Sequence, residues 1–268
     1  MGLTAIFVSI GAAFGLVSVI TLAVSRRVLF GKPKAAVIPA LETHLINPMT
    51  FVVDGAMLHG WLAMPKHAPK PKCAILYFNG RQENPSTLFG ILAEVPEHAV
   101  MVFHRRGLGP SGGYPSEQAH VRDGVRALDW LCEYLAISAG AVTIVGRSLG
   151  SGVAVRVSGA RDVCSLVLLS AFDRLAHIVK HHYPWMPEFA LRDKFDSIDH
   201  MAAVRCPCLS IVGDQDRVIP QAFSRALFDN WTGSLEEFVA SGGEHRGLLK
   251  NPRVCLAIAT FAKRHRVL

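Results

Sequence analysis

From about residue 50 onward, short apolar runs alternate with longer amphipathic ones, and this alternation restricts the fold more than any other feature of the chain. The apolar runs are Cys73–Phe78, Ala99–Phe103, Ala141–Val145, Ser165–Ser170, Cys208–Val212 and Leu235–Val239. Each is short and apolar almost throughout, which suits a strand covered on both faces of a parallel sheet. Between them lie helical patterns at about 85–95, 117–137, 149–160, 220–230 and 248–264. The second opens at Pro115-Ser116-Glu117 and places Val121, Val125, Leu128 and Leu131 at helical spacing. Thr50–Val53 and Leu58–Ala63, separated by Asp54-Gly55, read as an antiparallel hairpin. The whole predicts an α/β fold around a mainly parallel sheet, with helices on both faces and a hairpin at its start.

A chain of 268 residues with half its residues hydrophobic can bury one large core, so residues 45–268 are expected to form a single domain. Ahead of it, Leu3–Val24 is a run of 22 residues without a charge or a proline. About 20 such residues cross a bilayer core. Arg26, Arg27, Lys32 and Lys34 follow directly. A cleaved signal peptide is the competing reading, since Ala23-Val24-Ser25 offers small residues. No basic segment precedes the run, however, and the run exceeds the length of a signal-peptide core. The expected organisation is a transmembrane anchor at 1–25, a basic juxtamembrane linker at 26–44, and the α/β domain beyond. Basic residues after the span place that domain on the cytoplasmic side.

The net charge of +7 therefore has a membrane explanation, and no helix-turn-helix or stacking platform points to nucleic acid. Lys66, Lys70 and Lys72 form a second basic stretch, either a solvated loop or a contact for anionic headgroups. The six cysteines lie mostly in apolar surroundings and read as small buried hydrophobes. Cys206-Pro207-Cys208 lacks the spacing of a zinc site, so neither a metal nor a cofactor is expected. Residues 171–204 break the alternation with several histidines and Tyr183-Pro184-Trp185-Met186-Pro187. An insertion after a strand's carboxyl end lies over the ligand crevice of an open α/β sheet. This segment is either a small cap or an ordinary helical connection.

The pattern G-x-S-x-G occurs twice, at Gly109–Gly113 and Gly146–Gly150. A nucleophile elbow needs a strand that stops, a strained serine, and a helix that starts at once. Ser148 has all three, because Ala141–Val145 runs into Gly146 and small residues follow Gly150. Ser111 lies well past its strand and precedes Gly112-Gly113-Tyr114-Pro115, which cannot begin a helix. A serine nucleophile needs a base, and the base needs an acid to orient it. His245 follows the Leu235–Val239 run in a glycine-rich loop, whereas His265 sits in a basic tail and reads as solvated surface. Asp214 and Asp216 both follow Cys208–Val212 and are both candidates for the acid. A tetrahedral intermediate needs two aimed N–H donors. Leu149 is one, and the other is expected within Asn79-Gly80-Arg81.

Together these residues resemble the α/β-hydrolase superfamily over roughly residues 45–262, and within it the membrane-anchored serine-aminopeptidase-like subgroup. Gly146–Ala154 is similar to the family elbow. Arg106–Ser111 resembles the R-G-[YF]-G-x-S loop, with Leu108 at the aromatic position, and Gly112–Glu117 continues the likeness. Leu191–Ser197 resembles the segment before the acid-bearing strand. Gly213–Pro220 fits G-x-x-D-x-x-[VI]-P and Gly242–His245 fits G-G-x-H. The resemblance implies Ser148, Asp216 and His245 as the triad, with Leu149 and Arg81 as oxyanion donors. It departs at Asn79-Gly80, where the family usually has His-Gly. The implied activity is a membrane-anchored serine hydrolase acting on a small-molecule or lipid acyl substrate through an acyl-enzyme. A peptidase of the same fold and a catalytically silent binding domain are the alternatives.

Overall fold

The computed structural model describes residues 42–265 except Pro69, Gln82 and Asn230. The expected anchor at Leu3–Val24 and the basic residues Arg26, Arg27, Lys32 and Lys34 lie outside the described residues. Among the described residues, no helix is long and apolar enough to cross a membrane.

The strands are β1 (His44–Val53), β2 (Ala56–Pro65), β3 (Ala74–Phe78), β4 (Ala99–Phe103), β5 (Val142–Arg147), β6 (Ser165–Leu169), β7 (Cys208–Gly213) and β8 (Leu235–Ala240). They form one sheet in the order β1-β2-β4-β3-β5-β6-β7-β8. β1 and β2 pair antiparallel, as do β2 and β4, and all later neighbours are parallel. Asp54 and Gly55 both have positive φ (47° and 73°), as a tight two-residue hairpin turn requires. The arms of that hairpin run further than the apolar pattern suggested, pairing from His44↔Pro65 to Val53↔Ala56. The helices are α1 (Glu117–Leu135), α2 (Leu149–Ala160), α3 (Leu175–His182), α4 (Ile198–Met201), α5 (Gln221–Ala226) and α6 (Pro252–Arg264).

Alternation along a strand sends successive side chains to opposite faces, and both faces are covered. Leu76 and Phe78 of β3 join Leu128, Leu131 and Val153 from α1 and α2 in one core. Ile75 and Tyr77 of the same strand join Leu88 and Leu92 from the 3-10 segment Pro85–Glu94 and Ile258 from α6 in the other. Each fully buried Leu or Ile contributes about 1.5–3 kcal/mol, which is why the parallel strands read as unbroken apolar runs.

Three helical expectations need adjustment. The pattern at 85–95 is a 3-10 segment, Pro85–Glu94, started by Asn84, whose side chain accepts from the Ser86 N–H at 3.0 Å. The segment expected at 220–230 is helical only over Gln221–Ala226. The pattern at 248–264 divides into a 3-10 turn, Leu248–Lys250, and α6. The break falls where Asn251 caps the Arg253 N–H at 2.9 Å and Pro252 takes the first helical position, an arrangement that starts a helix. Residues 171–204 contain α3, the turn Glu188–Ala190 and α4, with no strand.

Candidate active site

β5 ends at Arg147 and α2 begins at Leu149, leaving Ser148 alone at the turn with φ 51° and ψ −125°. A side chain with positive φ here is the strained geometry of an elbow. The turn is this tight because Gly150 lacks a side chain. A Cβ there would lie 2.0 Å from the Phe78 carbonyl oxygen, so β3 can approach the elbow only if this residue is glycine. Gly80 abuts Ser148 from the other side, since a Cβ on it would stand 3.4 Å from Ser148 Cβ. Leu149 is the first residue of α2, where helix N–H groups have no intrahelical acceptor.

Asp216 and His245 reach Ser148 from the ends of β7 and β8. His245 Nε2 lies 3.1 Å from Ser148 Oγ, and His245 Nδ1 lies 2.8 Å from Asp216 Oδ2. The Asp216 side chain is 1% exposed and that of His245 is 14%. Asp216 Oδ1 accepts from the Val218 and Ile219 N–H groups at 2.9 and 2.8 Å, while Oδ2 also accepts from the Ser170 hydroxyl at 2.7 Å. Burial pushes the carboxyl up. The hydrogen bond and charge of His245, the Ile219 N–H and the Ser170 hydroxyl outweigh it and hold Asp216 below the usual carboxylate value. An ionised carboxylate only accepts, so the His245 proton sits on Nδ1 and Nε2 is free to accept from Ser148. The loops that carry Asp216 and His245 meet at Gly213, where a Cβ would lie 2.1 Å from the Gly243 carbonyl oxygen.

Of the two aspartates left open by spacing, the structure brings Asp216 to His245 and leaves Asp214 exposed. Ser111, the serine of the second G-x-S-x-G, is a loop element. Its hydroxyl donates to the His104 carbonyl at 2.8 Å and accepts from the His59 N–H at 3.0 Å. His265, expected on a solvated tail, instead packs its ring against Phe261 with centroids 4.5 Å apart. Cys73, Cys206, Cys208 and Cys255 are buried, and burial pushes the Cys206 thiol up to about 12.

A buried polar cluster beneath the elbow escaped the sequence reading. Glu83 Oε1 pairs with Arg147 Nη1 at 2.7 Å, both side chains being 8% exposed. Glu83 Oε2 accepts from the Tyr77 hydroxyl at 2.7 Å and the Gly80 N–H at 2.8 Å. Arg147 Nη2 donates to the His245 carbonyl. Arg105 Nη2 donates to the Gly80 and Arg81 carbonyls at 3.0 and 2.9 Å, and Asn79 Nδ2 donates to the Gly80 and Glu83 carbonyls at 3.3 and 2.7 Å. Burial lowers Arg105 to about 10, which leaves it charged at neutral pH. In a trans peptide the C=O and the following N–H point in opposite directions. Fixing the Gly80 carbonyl on Arg105 and Asn79 therefore fixes the direction of the Arg81 N–H. Asn79, where the resembled family has histidine, thus has a role in holding this loop.

The stretch 181–189 is exposed at every position but Met186, which is half-buried. It presents Tyr183, Trp185 (76% exposed) and Phe189 (83% exposed). His182 Nε2 lies 2.8 Å from the Val218 carbonyl, two residues beyond Asp216, so this aromatic stretch borders the loop that carries Asp216.

No family model matches the chain. Uncharacterized protein Rv2307c of Mycobacterium tuberculosis (strain H37Rv) is 33% identical over 213 residues, which cover 75% of this chain and 73% of that protein. Lysophosphatidylserine lipase ABHD12 of Danio rerio is 25% identical over 225 residues, covering 70% of this chain and 58% of that protein. Among solved structures, the acetyl xylan esterase from Paenibacillus sp. R4 matches with a TM-score of 0.67 at 19% identity, over 84% of this chain and 85% of that one. A likeness at that identity speaks to the fold.

Proposed function

The chain belongs to the family of Rv2307c within the α/β-hydrolase superfamily, and on that premise we propose that it is a serine hydrolase of carboxylic esters or thioesters, held at a membrane. The observation that carries this reading is the continuous contact from Ser148 Oγ through His245 to the ionised Asp216. His245 Nε2 takes the hydroxyl proton as Ser148 Oγ bonds to the acyl carbon, and Asp216 stabilises the imidazolium that forms. The carbonyl oxygen becomes an oxyanion held by the Leu149 and Arg81 N–H groups. Collapse breaks the bond to the leaving alcohol or thiol, which departs with the proton from His245. Water then attacks the acyl-enzyme by the same route in reverse, releasing the carboxylic acid and restoring Ser148.

The lipid-like substrate rests on three supports. The apolar run Leu3–Val24 is long enough to anchor the chain in a bilayer. A relative is named a lysophosphatidylserine lipase. The exposed Tyr183, Trp185 and Phe189 border the acid loop, and Trp and Tyr favour the headgroup layer, where an apolar ring and a polar tip are both satisfied. The chain enters the domain at the opposite end of the sheet, where Thr43 accepts from the Lys66 N–H near the exposed Lys70 and Lys72. Residues 25–43 span at most about 60 Å when extended, more than the roughly 45 Å across a domain of this size. The linker therefore lets the aromatic rim of residues 171–204, acting as a small cap, turn the catalytic end toward a cytoplasmic membrane face.

The test is turnover by the full-length protein in detergent, using 4-nitrophenyl esters of two to sixteen carbons, an acyl thioester, a lysophospholipid and aminoacyl 4-nitroanilides. Ester and thioester turnover that vanishes in Ser148→Ala is expected. Turnover confined to the aminoacyl amides would favour the peptidase reading, and none above Ser148→Ala the silent one.

A further inference from the structure

The second position of G-x-S-x-G is left unspecified by the elbow pattern. Here it is Arg147, whose side chain is buried beneath the elbow. Its guanidinium joins two segments far apart in sequence, through Glu83 on Nη1 and the His245 carbonyl on Nη2. The Glu83 carboxylate in turn holds the Gly80 N–H and the Tyr77 hydroxyl. One cation and one carboxylate thus connect the loop after β3, the elbow, and the loop after β8.

We infer that Arg147, paired with Glu83, is a positioning residue that sets His245 and the oxyanion loop as a single unit around Ser148. This rests on the hydrolase reading above and deepens it. His245 lies in a glycine-rich loop outside any helix or strand, and such loops are the mobile parts of a fold. Its side chain is directed by Asp216, but the backbone from which it hangs is held by the Arg147 donor to its own carbonyl. On the other side, the Gly80 N–H is fixed by Glu83 and the Gly80 carbonyl by Arg105 and Asn79. The Arg81 N–H belongs to the peptide so fixed. A guanidinium suits this role better than an ammonium, because its planar fork fixes two acceptors in two directions at once. Both members of the pair have left water, so removing either leaves an uncompensated buried charge that pulls the unit apart. A displacement of about 1 Å at a catalytic group costs about 100-fold in rate.

The experiment measures 4-nitrophenyl butyrate turnover by the full-length protein in detergent, with thermal midpoints recorded for every variant. Arg147→Met is expected to lower kcat about 100-fold with KM within about threefold, since the loss falls on the reacting geometry. Arg147→Lys keeps the charge but not the fork, and is expected to recover about tenfold of that loss. Glu83→Gln cuts the same link and is expected to match Arg147→Met. The double variant is expected within about threefold of the worse single, because coupled residues are not additive. Should Arg147→Met fail to fold, Glu83→Gln and Arg147→Lys carry the same comparison. An active wild type with these variants within threefold of it would overturn the inference, as would single losses that multiply in the double. A wild type no faster than Ser148→Ala would instead sink the hydrolase reading, and the inference with it.

Discussion

The Ser170 hydroxyl donates to Asp216 Oδ2 at 2.7 Å, on the same oxygen that faces His245 Nδ1. Ser170 directly follows β6 with φ 44°, so a strained residue just past one strand stabilises the carboxylate in the loop after the next. With two further backbone donors, these contacts hold Asp216 below the usual carboxylate value although its side chain is almost wholly buried.

Asp216→Asn is expected to lower kcat by about 10⁴-fold, because an amide holds the imidazole in the wrong tautomer. Stability follows from the direction of the shift. The folded value is depressed, so Asp216 contributes stability above the unfolded carboxylate value of about 3.9 and loses it as pH falls through the folded value. Denaturant unfolding should therefore show the wild-type advantage over Asp216→Asn at pH 7 and a reduced one at pH 3.

The second G-x-S-x-G makes a separate prediction. Ser111→Ala leaves the His59 N–H without its hydroxyl acceptor and is expected to cost about 1–3 kcal/mol of stability. Ester turnover by the folded variant should stay within twofold of wild type. A 100-fold loss with unchanged stability would make Ser111 part of the chemistry.

Arg106 and Asp123 form a second buried ion pair, at 2.5 Å with side chains 7% and 1% exposed. Arg106 Nη2 also donates to the Val53 carbonyl at 2.9 Å, tying the loop after β4 to the hairpin. Arg106→Met strands the Asp123 carboxylate and is expected to cost about 3–5 kcal/mol in denaturant unfolding.

The aromatic rim is tested by presentation of the substrate. Trp185→Ser combined with Phe189→Ser should reduce turnover of a long-chain ester in anionic vesicles about tenfold, while leaving a soluble butyrate ester within twofold. Loss of vesicle turnover in Lys66→Glu with Lys70→Glu and Lys72→Glu, and none in the aromatic variant, would turn the opposite end of the domain to the bilayer.

The sheet, Ser148 and His245 were legible in the sequence for definite reasons. Strands buried on both faces must be apolar at consecutive positions, so β3 to β7 stand out as runs. Ser148 follows from the strand before it and the small residues after it, and His245 from its place after the last strand. Asp216 and Asp214 are equivalent by spacing, and only the fold brings one of them to His245. The Arg147–Glu83 link was hidden because it depends on β3 lying between β4 and β5. One signal was present nonetheless. Arg147 follows five residues of strand and Gly146 without a break, and a charge at the end of so apolar a run must find a partner. The amphipathic pattern at 85–95 does not distinguish a 3-10 segment from an α-helix, and the pattern at 220–230 does not mark the end of the helix at Ala226.

Fluorophosphonate labelling of the full-length protein, with mass-spectrometric assignment of the adduct, decides whether Ser148 is the activated nucleophile. A single adduct on Ser148 is expected, absent from Ser148→Ala and slowed at least 100-fold in His245→Ala. A wild-type protein that does not label, or a Ser148→Ala variant that labels as fast as wild type, would contradict it.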